Sequence, residues 1–185
     1  KRSETENTIP FFFLAFLGFG IKAGFVPFHN WLPDAHPAAP SHVSAIMSGV
    51  MIKTGLYGIL RILFLIGTPS KCIAYTVFVV ALVTALYGIL YALAQRDLKK
   101  LLAYSSIENI GIIGLGIGLG MIGLAYGNQL VAMLGFAGGI LHILNHSIFK
   151  ELMFFGAGSV YNRTHTRDME VLGGLIKKMP NTASL

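Results

Sequence analysis

Two histidines and a lysine lie four residues apart in a long apolar segment near the carboxyl end of the sequence. His142, His146 and Lys150 would drift by only about 40° per step on an α-helix and spread along roughly 12 Å of its axis. Imidazoles and amines exchange protons, and burial disfavours their charged forms. The spacing therefore predicts a proton relay along one helix face, with two structurally satisfied histidines of a helix bundle as the alternative.

A metal site is a weaker interpretation of the same histidines. The pair has the i, i+4 spacing of metal ligands, but no Glu follows His142 directly and no third ligand is evident. The single cysteine, Cys72, excludes a disulfide framework, a CxxC redox pair and a thiolate zinc site. We predict neither a metal nor a cofactor in this chain.

Two further lysines lie well inside apolar runs. Lys22 is the fourteenth residue of a twenty-residue run, and Lys53 is the eleventh of a twenty-four-residue run. A charge at the centre of a bilayer costs from about 2.5 to about 17 kcal/mol, depending on how it is measured, so such groups face a wet or protein-lined interior. Both lysines are candidates for the relay, and snorkelling of the side chain to the head groups is the alternative.

Pro27 predicts a break in the first apolar helix, five residues after Lys22. Proline lacks a backbone donor, and the backbone groups that a break frees are tolerated in a membrane only where they line a cavity or are covered by protein. Transporter folds place ion paths at such breaks. A re-entrant cap with Trp31 at the membrane interface is an equally good interpretation.

Five apolar runs must position these groups. The 185 residues are 54% hydrophobic and 12% charged, with a mean hydropathy of +0.67, whereas soluble domains are about one quarter charged. This composition excludes a disordered tail, a coiled coil and an ordinary soluble enzyme domain. The net charge of +6 forms no basic face for nucleic acid. We predict an all-α, polytopic transmembrane bundle forming one membrane domain, with spans at residues 9–32, 43–66, 73–94, 101–124 and 130–159.

Glycines and loop charges add two expectations. Residues 118–123 spell GxGxxG but end an apolar run with no preceding strand, so Gly118 and Gly114 predict close helix packing rather than a nucleotide site. Seven Lys and Arg residues follow the third and fifth spans, and three lie on the opposite side. The positive-inside rule then places the carboxyl end in the cytoplasm.

Four ordered motifs identify a family resemblance. They are residues 19–22 with 27–36 (FGIK and PFHNWLPDAH), 52–58 (IKTGLYG), 97–107 (DLKKLLAYSSI) and 142–150 (HILNHSIFK). Together they cover nearly the whole chain and resemble the antiporter-like subunits of respiratory complex I, Mrp antiporters and membrane-bound hydrogenases. Residues 37–42 and 105–111 look most like the large membrane subunit of hydrogenase-4 and formate hydrogenlyase, and Glu108 is a feature of that branch.

The resemblance implies a role for each buried group. Lys22 matches the lysine of the broken seventh helix, which loads and releases the pumped proton, and Lys53 matches the eighth-helix lysine that relays it laterally. His142, His146 and Lys150 match the central relay towards the exit half-channel. The family implies further membrane subunits and a peripheral redox module as partners, in a bacterial or archaeal cytoplasmic membrane.

The chain also departs from the family. Members usually have about fourteen spans, and the five runs here resemble helices seven to eleven, so we expect a fragment. The glutamate that pairs with the lysine at the Lys22 position and the terminal lysine or glutamate of the twelfth helix belong to other helices of the family.

The sequence is compatible with three functions. The first is a proton-translocating subunit of a redox-driven complex of hydrogenase-4, formate hydrogenlyase or NADH dehydrogenase type, with no catalytic centre in this chain. The second is a cation/proton antiporter subunit of Mrp type. The third is a non-conducting membrane scaffold.

Overall fold

The computed structural model describes residues 2–184, with side chains from Ile9 onward, and these residues form helices and links without a β-strand. Four helical segments are long and apolar enough to cross a membrane, and a shorter apolar helix, Ile9–Ala23, accompanies them. The prediction of an all-α polytopic membrane bundle is confirmed. The helices are α1 (Arg2–Ala23), α2 (Trp31–Ala38), α3 (Ser41–Ile46), a π-helical turn (Met47–Met51), α4 (Ile52–Ile66), α5 (Lys71–Leu93), α6 (Leu98–Ala125), α7 (Gln129–Thr164), α8 (Leu175–Lys178) and α9 (Pro180–Ala183).

The first helix breaks close to Pro27, as the sequence predicts. Helix α1 ends at Ala23, Gly24 adopts a φ of 88°, and α2 begins at Trp31. The positive φ favours glycine, because a side chain in this region of conformational space is strained. The indole Nε1 of Trp31 donates to the carbonyl of Ile21 at 3.0 Å, so the residue after the break binds a backbone carbonyl at the end of α1.

Helices α5, α6 and α7 pack closely through glycine. A Cβ at Gly88 or Gly111 would overlap backbone atoms of the partner helix in the α5–α6 pair. Gly114 lies against Ala81, and Gly118 lies against Phe78, both on α5. The prediction that Gly114 and Gly118 serve close helix packing is confirmed. Helix α6 is the most buried of the four long segments, and its main contacts are with α5 and α7.

Cations at one end of the bundle hold the carboxyl end of α2. Lys99 Nζ donates to the carbonyl of Ala39 at 2.7 Å, and Arg167 Nη1 donates to the carbonyl of Pro37 at 2.6 Å. Arg167 Nε also pairs with Asp97 Oδ2 at 3.3 Å, and Asp97 caps the start of α6. Positive groups near the carboxyl end of a helix complement its dipole, so α2 is fixed relative to α6 and to the segment after α7.

Candidate proton-relay site

Lys53 lies at the start of α4, directly after the π-helical turn. Its side chain is buried, with 8% of its surface exposed, and Nζ donates a hydrogen bond to the carbonyl of Ser48 within that turn. The π-helical turn changes the register of the chain before α4, and such turns are frequent at functional sites. Local backbone geometry therefore gives the ammonium group of Lys53 a partner inside its own span.

Lys150 is fully buried on α7 and bonds across to α6. Its Nζ donates to the carbonyl of Leu102 at 3.1 Å. The hydroxyl of Ser106 donates to the same carbonyl at 2.9 Å. A buried charge is tolerated only when hydrogen bonds compensate its lost hydration. The carbonyl of Leu102 therefore helps to fix the position of the Lys150 ammonium group.

A hydrogen bond between two serines joins these lysine environments. Ser48 Oγ and Ser106 Oγ are 2.8 Å apart, and both residues are fully buried. Neither serine was identified as a functional candidate from the sequence, because a serine in an apolar helix usually bonds back to its own helix. The family motif at residues 97–107 includes Ser106, but it does not predict which residue the Ser106 hydroxyl bonds.

The two histidines of α7 face the same interior region but differ in hydrogen bonding. His142 Nε2 lies 2.9 Å from Asn109 Oδ1 of α6, and the ring centroids of His142 and His146 are 6.3 Å apart. His146 is fully buried, and neither ring nitrogen has a hydrogen-bond partner among the described residues. A buried polar group without a partner requires an explanation such as a water or a functional role. His142, His146 and Lys150 thus lie on the side of α7 that meets α6.

Lys22 does not join this cluster. It lies in the last turn of α1, where its side chain is exposed on the surface of the described helices. Pro27 is exposed in the link between α1 and α2. The structure therefore groups four of the five relay candidates around α6 and leaves the fifth, Lys22, on another face.

Two carboxylates accompany the cationic groups. Glu151 packs against the π-helical turn, where a Cβ at Gly49 would overlap its carboxylate. Glu108 lies on α6, and its backbone packs against Gly88 of α5. The sequence shows both acids inside apolar runs, but it does not show which helix each of them packs against.

A fully buried histidine lies outside the predicted relay. His36 of α2 stacks on Phe154 of α7 with ring centroids 4.7 Å apart, and neither of its ring nitrogens is hydrogen-bonded within the described residues. Among the side chains of residues 9–184, no three His, Cys, Asp or Glu groups lie together so that they could hold a metal ion.

The sequence and the fold of this chain are similar to those of known proteins. The chain is 51% identical over 176 residues to hydrogenase-4 component B of Escherichia coli K12, covering 94% of this chain and 26% of that protein. It is 46% identical over 167 residues to formate hydrogenlyase subunit 3 of the same organism, covering 90% and 28%. An archaeal respiratory membrane complex, the membrane-bound sulfane sulfur reductase, contains a chain that superposes with a TM-score of 0.80 at 33% identity, covering 91% of this chain and 33% of that one.

The chain thus spans about a quarter of the length of the curated relatives that it matches. Residues 2–185 match the family described as NADH:quinone oxidoreductase/Mrp antiporter, TM. This match and the long apolar helices show an integral membrane protein. The resemblance inferred from the four motifs is confirmed: the chain belongs to the NADH:quinone oxidoreductase/Mrp antiporter transmembrane family.

Proposed function

We propose that this chain forms part of a proton-translocating subunit in a redox-driven membrane complex of the hydrogenase-4 or formate hydrogenlyase type. The observation that carries the proposal is the pair of buried lysines, Lys53 and Lys150, connected across α6. Buried ionisable groups in membrane segments are costly and mark ion pathways. The identity of 51% to hydrogenase-4 component B supports the choice of branch.

The proposed mechanism is electrostatic. A proton loaded at Lys22 passes to Lys53 and from there to Lys150, and His146 and His142 continue the path along α7. Like charges disfavour the ionised form, so an approaching cation promotes release of a proton from a buried lysine. Each step moves one proton from a protonated group, an ammonium or an imidazolium, to a neutral acceptor. Steps between groups that are not in contact need intervening water.

The driving force comes from other subunits in this proposal. A peripheral redox module supplies it, and further membrane subunits complete the path that begins at Lys22. The complex lies in a bacterial or archaeal cytoplasmic membrane, with the carboxyl end of this chain in the cytoplasm. That orientation is supported by the excess of Lys and Arg at the end of the bundle that carries Lys99 and Arg167.

A cation/proton antiporter of Mrp type is the second candidate, because the family to which the chain belongs includes the Mrp antiporters. The two candidates differ in their ion dependence. Translocation that requires Na⁺ and continues without electron transfer would favour the antiporter, whereas translocation that requires hydrogenase turnover and not Na⁺ would favour the redox-driven complex.

The direct test is to replace each buried lysine in the native complex. Lys53→Ala and Lys150→Ala should each lower proton translocation by inverted membrane vesicles at least about tenfold, the smallest effect we attribute to an essential relay group. The matched control is Lys71→Ala, because Lys71 is exposed at the start of α5. The amount of assembled complex is measured in every strain. Unchanged translocation in both buried-lysine variants would leave the scaffold as the better description.

A further inference from the structure

We propose that the hydroxyl groups of Ser48 and Ser106 form a proton-conducting bridge between Lys53 and Lys150. This inference rests on the proposed function and assigns a role to two residues outside the predicted relay. The bridge consists of one serine from the π-helical turn and one from α6. Ser48 lies beside Lys53, and Ser106 lies beside Lys150.

Hydrogen bonds place the groups of the bridge next to one another: the two hydroxyls bond each other, and at each end a backbone carbonyl, not a serine hydroxyl, binds the lysine. Lys53 Nζ donates to the carbonyl of Ser48, so the ammonium group lies beside that residue. Ser48 Oγ is 2.8 Å from Ser106 Oγ. Ser106 Oγ and Lys150 Nζ then converge on the carbonyl of Leu102, at 2.9 and 3.1 Å.

Hydroxyl groups suit a bridge because each is both a donor and an acceptor. When its Nζ turns from the carbonyl of Ser48 to Ser48 Oγ, Lys53 transfers a proton to that hydroxyl as the hydroxyl passes its own proton to Ser106 Oγ. Ser106 Oγ turns from the carbonyl of Leu102, which also binds Lys150, and passes its proton to the neutral amine of Lys150. One N–H bond breaks at Lys53 and one forms at Lys150, and neither serine carries a charge before or after the transfer. Rotation of the two hydroxyl groups then restores the starting orientation.

Burial explains why hydroxyls would be needed at this point. Ser48, Ser106 and Lys150 have no exposed surface, and Lys53 has 8%. The lysines therefore do not exchange protons through bulk solvent between these positions. A hydroxyl in an apolar interior is unfavourable unless it is hydrogen-bonded, and each of these two serines supplies the other with a partner.

The orientation of Ser48 separates the bridge from an ordinary helical serine. Ser147 of α7 shows the ordinary case, because its hydroxyl donates to the carbonyl of Ile143 in its own helix. The hydroxyl of Ser48 instead meets α6, while the carbonyl of the same residue binds Lys53. Ser48 lies in the π-helical turn, Met47–Met51.

The test removes and then restores the hydroxyls in the complete native complex. Ser48→Ala, Ser106→Ala and the double variant should each lower proton translocation about tenfold or more. The double variant should be no slower than the slower single variant, because either change already interrupts the bridge, and groups that act as one unit are strongly non-additive. Ser48→Thr and Ser106→Thr keep a hydroxyl and should retain most of the translocation rate. Ser147→Ala is the matched control and should equal the wild type.

Each outcome has a defined meaning. Loss in the Ala variants with retention in the Thr variants, at an unchanged amount of complex, supports the bridge. Equal loss in the Ala and Thr variants with normal assembly overturns it, because the hydroxyl would then not be the group that matters. If Lys150→Ala abolishes translocation while Ser48→Ala and Ser106→Ala, made separately in the same strain, translocate normally, the bridge is overturned. The proposed function then stays intact. Normal translocation in Lys150→Ala overturns the bridge, and normal translocation in both Lys53→Ala and Lys150→Ala also overturns the proposed function.

Discussion

Replacing Lys150 by methionine should abolish proton translocation without destabilising the protein. Methionine has nearly the length of lysine and no charge, so it fills the same buried space. Lys150 has no exposed surface, and within the described residues its Nζ makes one hydrogen bond, to the carbonyl of Leu102. That carbonyl keeps its bond from Ser106 Oγ when Lys150 is replaced.

The magnitude follows from the balance of two effects. A hydrogen bond from a charged donor contributes about 1.5–3 kcal/mol to stability, and this contribution is lost. The desolvation penalty of a buried ion is several kcal/mol, and replacing buried charges by apolar residues of similar volume is often neutral or stabilises by about 1–4 kcal/mol. We therefore expect the free energy of unfolding to stay unchanged or to rise by up to about 4 kcal/mol.

Thermal unfolding of the purified complex in mild detergent measures this effect as a shift in Tm, and vesicle assays measure translocation on the same preparation. Lys178→Met is the control, because Lys178 is exposed on α8 and surface changes usually stay within about 0.5 kcal/mol. A Tm that falls by several degrees in Lys150→Met, with Lys178→Met unchanged, would refute the reasoning, since it would show that the ammonium group stabilises the fold.

Three further predictions concern the elements that hold the site. Asp97→Ala should lower the free energy of unfolding by about 1 kcal/mol or more, because it removes the cap of α6 and the pairing with Arg167; chemical denaturation measures the loss, and an unchanged midpoint would contradict it. Gly111→Leu should prevent assembly, because its side chain would meet the backbone of α5. Gly138→Leu should assemble normally, because a Cβ at Gly138 would have no atom within 4 Å. The amount of complex in the membrane distinguishes the two variants. Trp31→Phe should lower the free energy of unfolding by about 1 kcal/mol, because it loses the bond to the carbonyl at the end of α1, and a normal Tm would show that this bond does not stabilise the break.

The sequence predicted the elements of this protein well, because the features that define them are local. Apolar runs of about 20 residues predict membrane helices, and a proline inside such a run predicts a break, which the structure places between Ala23 and Trp31. Helical periodicity likewise puts His142, His146 and Lys150 on one face of α7, whatever that helix contacts. These conclusions needed no knowledge of neighbouring helices.

The tertiary structure decided which groups meet. Whether a buried serine bonds its own helix or a neighbour depends on helix rotation and separation, which close glycine contacts such as Gly111 against α5 help to set. Ser48 and Ser106 lie 58 residues apart in the sequence, yet their Oγ atoms are 2.8 Å apart, and the sequence did not predict the π-helical turn that carries Ser48. Lys22 and Lys53 looked equivalent as charges within apolar runs, yet packing exposes the first and buries the second. Sequence alone therefore determined which chemical groups each span carries, while packing against α6 determined their partners.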